Sequence, residues 1–339
     1  MKRILIWVAI VVLLAVAAAG AWVFSNVARP YKAYDGPEQF VDIPAGTGSI
    51  AMGKRLADAG VVRSPTAFRL AVWMRGSARR LQAGEYRFDR PMSASAVVDK
   101  IARGEVYVRI ITFREGLTNR EMAAHFEGQG FGKADEFLKA ARNAKLVNDM
   151  DPGAKDLEGY LFPDTYTLQR KTTPAQLVER MVGRFRKSLT PDMRTAAENR
   201  GFTVRELVTL ASLVEKETGK PEERPIVAGV YANRLKAGMP LQCDPTVIYA
   251  MMLAGRYEGN IRRDDLQMDS PYNTYRYPGL PPGPIAAPGE ASLRAAAEPA
   301  SVPYLYFVSR NDGSHVFATT LEEHNKNVVT YQLRRGTNP

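Results

Sequence analysis

The stretch Thr203-Val-Arg-Glu-Leu-Val-Thr-Leu-Ala-Ser-Leu-Val-Glu-Lys-Glu-Thr218 predicts one helix with marked ends, around which the rest of the chain is organised. Glu206 follows Thr203 by three residues, which is the spacing of a capping box. Gly219 can adopt the left-handed conformation that closes a helix, and Pro221 cannot extend one. We therefore expect a helix from the capping threonine to Thr218, closed by the glycine.

The side chains of this helix divide into two predicted faces. The apolar residues at 3.6-residue spacing are Leu207, Leu210, Ala211 and Val214, and those opposite are Arg205, Thr209, Ser212 and Lys216. Glu215 and Glu217 lie on opposite edges of the apolar stripe, because two residues along a helix are about 200° apart. At most one of these two acids can therefore point into a given cleft, and periodicity does not choose between them.

The N-terminus carries an uncharged run that is long enough to cross a bilayer. A Lys-Arg pair at positions 2–3 precedes the apolar segment 4–24, and about 20 apolar residues span a membrane as a helix. The apolar core of a signal peptide is shorter, about 7–15 residues, although small residues near the end of the run leave cleavage as an alternative. We expect an uncleaved anchor with Trp7 and Trp22 near the interfaces. The basic pair keeps the N-terminus cytoplasmic, so the chain after Arg29 lies outside the cytoplasm.

Composition excludes several classes of protein. Cys243 is the single cysteine, so no intramolecular disulfide can form. The three histidines, His125, His315 and His324, share no ligand spacing, so we expect no metal site. The net charge of +10 suits an anionic membrane or polymer, or a solvated basic face. An exported domain meets no nucleic acid.

Motifs for cofactor or nucleophile chemistry are absent from the sequence. No GxGxxG or P-loop follows a predicted strand, and no GxSxG turn is present. Lys216 lies on the predicted polar face, whereas a pyridoxal enzyme needs a buried lysine. We therefore expect no cofactor, and carboxylate chemistry remains.

The spacing of strands and helices predicts two folded domains of the α+β class. After the segment 1–29, a polar linker covers residues 30–39, and residues 40–112 alternate short strands and helices in a small α+β module. Residues 113–335 form a larger mixed α/β domain with several capped helices and a hairpin across residues 311–314. Its segment from Asp269 to Glu290 contains six prolines and three tyrosines, which is typical of a functional loop.

Polar and aromatic residues after the central helix favour a sugar-binding cleft. Gln242 and Asp244 bring an amide and an acid, and the segment Tyr272–Tyr275 brings two phenols and Asn273. Such groups orient a ligand on aromatic platforms. A carboxylic acid half-buried beside them has a raised pKa and can protonate a glycosidic oxygen near neutral pH.

Six motifs, in one order, resemble the YceG-like family of membrane-bound endolytic murein transglycosylases. They are Ala211–Thr218, Ala232–Leu235, Leu241–Tyr249, Tyr272–Tyr275, Gly279–Gly283 and Tyr304–Val308, and the segments Glu158–Gly159 and Pro163–Thr165 add to the match. The resemblance covers nearly the whole chain, including the N-terminal anchor. Cys243 departs from the family pattern, in which threonine is common at that position.

The resemblance implies a function and a set of site residues. The family's small domain is LysM-like, which corresponds to residues 40–112, and its general acid corresponds to Glu217. The implied reaction cleaves the β-1,4 bond between N-acetylmuramic acid and N-acetylglucosamine and leaves a 1,6-anhydro end, because the C6 hydroxyl of the substrate replaces water. The residues implied to hold the glycan are Gln242, Asp244, Tyr272, Asn273 and Tyr275, with Glu158 as a further candidate that a structural hydrogen bond would explain equally well.

The resemblance also implies partners and a location. The expected partners are glycan strands of peptidoglycan and peptidoglycan synthases, and the expected site is the periplasmic face of the inner membrane, where the enzyme would end glycan elongation. Two other functions remain open. One is a muramidase that uses water, with Asp244 or Glu158 as a second carboxylate, and the other is a non-catalytic scaffold that binds glycan. A pyridoxal-dependent lyase is a remote third.

Overall fold

The computed structural model describes residues 2–333 and divides into two compact units. The first unit comprises residues 2–109 and 169–171, and the second comprises residues 110–168 and 172–333. Met1 and residues 334–335 of the predicted domains lie outside the described residues. Helices and short paired strands together confirm the predicted α+β class.

The first unit begins with an apolar helix and continues as an α+β module. Its elements are α1 (Lys2–Val23), β1 (Gln39–Ile43), α2 (Ser49–Asp58), α3 (Pro65–Met74), β2 (Gly84–Phe88) and α4 (Ala94–Ala102), with one π-helical turn at Phe24–Ala28 after α1. The apolar stretch Arg3–Ala28 is long enough to cross a membrane, and the side chains of α1 are almost all exposed.

The core of the module lies between its two strands and its helices. β1 and β2 pair antiparallel, with Val41 opposite Tyr86. Phe68 of α3 and Val97 of α4 are fully buried in the same cluster. Val27, at the end of the apolar stretch, is also buried there, so the chain leaves α1 directly into the module.

The second unit is mostly helical. Its elements are β3 (Arg109–Thr112), α5 (Asn119–Gly128), α6 (Ala134–Ala141), β4 (Thr165–Leu168), α7 (Pro174–Ser188), α8 (Pro191–Asn199), α9 (Val204–Glu217), α10 (Arg224–Lys236), α11 (Asp244–Leu253), α12 (Glu290–Ala297), β5 (Tyr306–Ser309), β6 (His315–Ala318) and α13 (Leu321–Val328). Short 3-10 helices occur at Ala144–Val147 and Arg263–Gln267, and a π-helical turn follows at Val329–Leu333. The sequence places β3 within the module of residues 40–112, but the structure pairs it with β4.

Helix α9 is the central element of this unit and begins as predicted. The Thr203 hydroxyl accepts a hydrogen bond from the Glu206 amide, and the Glu206 carboxylate accepts one from the Thr203 amide. Every residue from 207 to 214 is buried, so the predicted polar face is wrong for Thr209 and Ser212. The Ser212 hydroxyl donates to the Thr209 carbonyl and accepts from the Ile285 amide. The loop after Asp269 covers this face, so the Ser212 hydroxyl hydrogen-bonds to the loop backbone rather than to water.

The end of α9 differs from the prediction. Thr218 caps the helix in an extended conformation, with φ −138° and ψ 133°. Gly219 is not left-handed, so the prediction that it closes the helix is wrong. The Thr218 hydroxyl instead donates to Glu223, just before α10, at 3.0 Å. A side-chain hydrogen bond therefore makes the turn that a glycine was expected to make.

Two helical glycines offer a test of how closely this unit is packed. A Cβ at Gly229 of α10 would lie 2.5 Å from the Ala300 carbonyl oxygen, whereas a Cβ at Gly183 of α7 would meet nothing within 4 Å. We expect Gly229→Ala to lower the free energy of unfolding by about 1–3 kcal/mol through overpacking. Gly183→Ala should raise it by about 0.5–1 kcal/mol, because alanine is the better helix former. Urea unfolding followed by circular dichroism measures both, and equal effects would contradict this packing.

Candidate functional site

Glu217 lies at the last turn of α9 with only an edge of its side chain open to solvent. The hydroxyl of Tyr231, a fully buried residue of α10, donates to Glu217 Oε1 at 2.7 Å. The buried thiol of Cys243 lies near the same carboxyl group and acts on its pKa. The hydrogen bond from Tyr231 therefore holds this acid in one orientation.

The surroundings of Glu217 act on its pKa in opposite directions. Burial raises the pKa, because the charged form loses hydration, and the negative charge of Asp244 adds to the rise. Hydrogen bonds from Cys243 and Tyr231 and the charge of His315 lower it. The net effect is a raised pKa, which keeps the acid protonated to higher pH than an exposed glutamate.

Glu215 occupies a different environment, as the helical spacing predicts. Its Oε1 pairs with Arg224 Nη2 at 3.2 Å, and its Oε2 accepts from the Gly289 amide at 2.9 Å. Only 6% of its side chain is exposed. Glu215 thus holds the loop before α12 and the start of α10 against α9, and both of its oxygens are occupied.

Gln242 and Asp244 stand at the start of α11, near Glu217. Cys243 takes the cap position of α11, and Asp244 is the first helical residue. The exposed Asp244 carboxylate accepts a hydrogen bond from the Tyr275 hydroxyl. Gln242 is exposed and adopts φ +51°, which is uncommon for a residue other than glycine. Its side-chain oxygen accepts from Arg234, which also binds the Leu241 carbonyl.

Thr274 joins the proline-rich loop to the start of α11. Its carbonyl accepts from the Gln242 amide at 3.1 Å, and its hydroxyl accepts from the Cys243 amide at 3.0 Å. Thr246 makes a further hydroxyl contact with Thr274 at 2.9 Å. These buried bonds bring Tyr275 to Asp244 across about 30 residues of chain. The threonine is part of the matched motif, but the sequence does not single it out.

A second site element that the sequence does not predict is the buried pair His315–Glu223. His315 Nδ1 lies 2.7 Å from Glu223 Oε2, and the Glu223 carboxylate also accepts from the Thr218 hydroxyl. Burial alone would raise the pKa of Glu223, but the bonds from His315 and Thr218 outweigh it and lower the pKa. The sequence suggests His315 only as a possible metal ligand. Glu223 is 92 residues away along the chain, so no local pattern predicts that the two residues pair.

These contacts close into a ring around Glu217. The His315 imidazole packs edge to face on Phe307 of β5, and Phe307 packs in the same way on Tyr231, whose hydroxyl returns to Glu217. The hairpin β5–β6 is therefore joined to the end of α9 by two routes, one polar and one aromatic.

Glu158 belongs to a separate cluster. Its carboxyl accepts from the Asn119 amide, at the start of α5, at 3.0 Å, and from the Tyr249 hydroxyl at 3.2 Å. Tyr272 packs edge to face against Tyr249 at 4.9 Å. Cavities of about 280 and 360 Å³ border Glu158, and Asp156 lines both. The predicted site residues therefore divide between two clusters, with Tyr272 and Glu158 in this one.

Asn273 lies inside the proline-rich loop. It is completely buried, and its Nδ2 donates to the carbonyls of Leu266 and Met268. Its Oδ1 accepts from the Tyr275 amide. All polar atoms of its side chain are bound to the loop backbone, so Asn273 shapes the loop that presents Tyr275. Among residues 2–333, no group of three His, Cys, Asp or Glu side chains could hold a metal ion.

The site combines one carboxylic acid, Glu217, with phenols and amides at the end of a buried helix, and such groups can exchange protons and hydrogen-bond a polar ligand. Comparison with known proteins narrows this broad chemistry to one family. The model of the YceG-like family matches residues 41–330. The chain belongs to the YceG-like family.

Relatives with curated names agree with that assignment. An endolytic murein transglycosylase of Bacillus subtilis (strain 168) is 34% identical over 301 residues, which cover 84% of this chain and 82% of the relative. An endolytic murein transglycosylase of Streptococcus pneumoniae (strain D39) is 32% identical over 322 residues, and the match spans 86% of this chain but 58% of that longer protein. A crystal structure of a YceG-like protein of Listeria monocytogenes superposes with a TM-score of 0.58 at 32% identity, over 86% of this chain and 98% of that one.

The hydrogen bond from Tyr231 predicts a measurable change in acidity. Tyr231→Phe removes a donor that stabilises the charged form, so we expect the pKa of Glu217 to rise further. Titration of the ¹³C-labelled glutamate carboxyls by NMR measures this, with Glu217→Gln to assign the signal. Tyr277→Phe removes a similar phenol–carboxylate bond, to Asp269 in the exposed loop, and should leave the pKa of Glu217 unchanged. An unchanged pKa in Tyr231→Phe would contradict the structure.

Glu158 predicts a pH dependence of stability. Burial raises its pKa from 4.5 to about 8, so between these values the folded state binds more protons than the unfolded state. The contribution of protonated Glu158 to the stability of the fold is complete below about pH 4.5. It falls by up to about 1.4 kcal/mol per pH unit as the pH rises, and it is lost as the pH passes through 8. Glu158→Gln cannot ionise and should flatten this slope in urea unfolding measured from pH 5 to pH 8. The same slope in both proteins would show that Glu158 is not the cause.

Proposed function

We propose that this protein is an endolytic lytic transglycosylase of peptidoglycan, a lyase with Glu217 as its general acid and base. The observation that carries the proposal is the state of Glu217, which is held by the Tyr231 hydroxyl and has a raised pKa because it is buried. The names of the Bacillus and Streptococcus relatives supply the substrate class.

In the proposed reaction one carboxyl group moves a proton in both directions. Protonated Glu217 donates its proton to the oxygen between C1 of N-acetylmuramic acid and C4 of N-acetylglucosamine, and the C1–O bond breaks. The carboxylate then accepts the proton of the C6 hydroxyl on the same muramic acid, whose oxygen bonds to C1. The products are a free 4-hydroxyl and a 1,6-anhydro end, and Glu217 is protonated again. No second carboxylate is needed, because the substrate supplies the nucleophile.

The neighbouring residues fit supporting roles in this reaction. Asp244 and Tyr275 are joined to each other beside Glu217 and are placed to bind sugar hydroxyls, and Gln242 is exposed on the same turn. Tyr272 and Glu158 are proposed to bind glycan further along, at the cavities that border Glu158. Asn273 contributes by holding the loop, not by direct contact.

The proposal extends to the place of action. Helix α1 would anchor the chain in the inner membrane with its N-terminus in the cytoplasm, since its first two residues, Lys2 and Arg3, are basic. The following module, residues 40–112, is proposed to be LysM-like and to bind glycan, and residues 113–335 to be the catalytic domain. Tethered in this way, the enzyme would cut nascent strands near peptidoglycan synthases and so end their elongation.

A muramidase that uses water is the second candidate, because Asp244 acts electrostatically on Glu217 and is therefore close to it. In that reaction Asp244 would activate water or attack C1 itself. Its hydrogen bond from Tyr275 occupies one carboxylate oxygen and leaves the other free for such a role. The two reactions differ in their products, since the muramidase leaves a reducing end.

The test compares the two glutamates of α9. We expect Glu217→Gln to lower the rate of peptidoglycan cleavage by a factor of about 10²–10⁴ or more with the fold retained, because it removes the acid and the base together. Glu215→Gln weakens the pair with Arg224, so it should lower stability and cost much less activity per folded molecule. Purified polymeric peptidoglycan is digested with each variant, and the chain ends are identified by mass spectrometry.

The products separate the three functions. Anhydro-muramic ends that disappear in Glu217→Gln support the transglycosylase. Reducing ends without anhydro-muramic acid would establish the muramidase, and equal loss of activity in Asp244→Asn would support the second carboxylate. No cleavage by the wild-type protein, together with full cellular function of Glu217→Gln, would indicate a scaffold that binds glycan.

A further inference from the structure

We infer that the first unit lies directly on the membrane, docked to anionic lipid headgroups through one end of α3. The surface concerned, which we call the Trp73 patch, consists of Trp73, Met74, Arg75, Arg79 and Arg80. The inference rests on the proposed anchoring of α1 in a bilayer and adds to it a second membrane contact, made by the folded module.

Contacts near Tyr31 fix one end of the module. The Arg63 guanidinium, just before α3, lies 4.7 Å from the centre of the Tyr31 ring. Met92, just before α4, pairs with Tyr31 through backbone hydrogen bonds of 3.0 and 3.2 Å. The Ala33 amide also donates to the Gly60 carbonyl. The starts of α3 and α4 therefore both lie near Tyr31, which follows the apolar stretch in the sequence.

Both helices also contact the π-helical turn Phe24–Ala28, which lies between the anchor and Tyr31 along the chain. Their C-terminal ends meet, since Arg75 after α3 pairs with Asp99 of α4 at 3.0 Å. A ten-residue helix is about 15 Å long, so α3 is long enough to reach from the level of Tyr31 to the last turns of the apolar stretch. In the inferred arrangement the Trp73 patch lies at the level where that stretch would leave the bilayer.

The side chains at this end suit an interface with anionic lipid. Trp73 is 78% exposed and Met74 is 53% exposed, although they belong to a helix whose other face is buried. From Asp58 to Glu85 the intervening sequence has five arginines and no acidic residue. Tryptophan is enriched at membrane interfaces, and clustered basic residues are attracted to anionic headgroups.

The bilayer is the occupant that the structure favours. The patch is joined to α1 by continuous helix and packed core, since Val27 is buried in the module, so the membrane lies within reach without any further partner. A lipid surface also matches the patch in charge. A glycan would need hydrogen-bonding groups beside the tryptophan, whereas the arginines Arg75, Arg79 and Arg80 offer charge.

The test uses the full chain in nanodiscs with one tryptophan at a time. The chain has three tryptophans, at positions 7, 22 and 73. Trp7→Phe with Trp22→Phe leaves Trp73 as the only reporter. In nanodiscs containing anionic lipid we expect brominated acyl chains to quench Trp73 and aqueous acrylamide to quench it weakly. In nanodiscs of neutral lipid, or at high salt, we expect the lipid quenching to fall by at least half.

A matched pair of variants tests the charge. Arg79→Gln with Arg80→Gln should reduce the quenching of Trp73 by brominated lipid. Lys32→Gln with Arg90→Gln removes two exposed charges at the opposite end, next to Tyr31 and α4, and should leave quenching as it is. Strong acrylamide quenching of Trp73 with no lipid quenching would overturn the inference, as would a Trp73 signal that responds to glycan strands and not to lipid.

A control separates this inference from the anchor on which it rests. Trp7→Phe with Trp73→Phe leaves Trp22, which reports the insertion of α1. Lipid quenching of Trp22 without quenching of Trp73 would keep the anchor and reject the docked module. Absence of lipid quenching at Trp22 would reject the anchor itself.

Discussion

Burial of α9 on every side is the constraint on which the second unit depends. A polar group without water needs a partner, and α9 carries the buried Ser212 and the almost buried Glu215 on one face. The proline-rich loop meets this need with the amides of Ile285 and Gly289. The same bonds set the path of a loop that contains little regular structure of its own. The helix thus orders the loop, and the loop in turn delivers Tyr275 to the neighbourhood of Glu217.

The two glutamates of α9 are two residues apart and therefore have different surroundings. Glu215 has an arginine and a backbone amide, so its charge is satisfied and it stabilises the junction of α9, α10 and the loop. Glu217 accepts a hydrogen bond from the neutral phenol of Tyr231 at 2.7 Å, and it is partly exposed. An acid that must exchange its proton with a substrate cannot have both of its oxygens occupied by an arginine and a backbone amide. The environment, rather than the residue type, therefore distinguishes the structural acid from the acid that we propose for catalysis.

The sequence predicts the helices well because their signals are local. The capping box at Thr203 appears in the structure as expected. The sequence-based prediction is wrong where the conformation of a residue depends on a partner far away along the chain. Ser212 is buried because a loop 73 residues away covers it, and Thr218 ends α9 with its hydroxyl hydrogen-bonded to Glu223. The site follows the same rule. The motifs predict Glu217, Asp244 and Tyr275 as site residues, whereas His315 and Glu223 are 92 residues apart and no sequence spacing predicts their pairing.

The balance of forces on Glu217 explains why a ring of contacts surrounds it. In the proposed reaction the same carboxyl group must give up a proton and take one back, so neither form can be strongly preferred. Burial alone would keep the acid protonated and make it a poor base for the C6 hydroxyl. The Tyr231 hydroxyl restores part of the stability of the carboxylate. Tyr231 is packed on Phe307, and Phe307 on His315, which is bound to Glu223. The hairpin therefore keeps this donor in place from outside the site, which leaves the exposed part of Glu217 free for the proposed substrate.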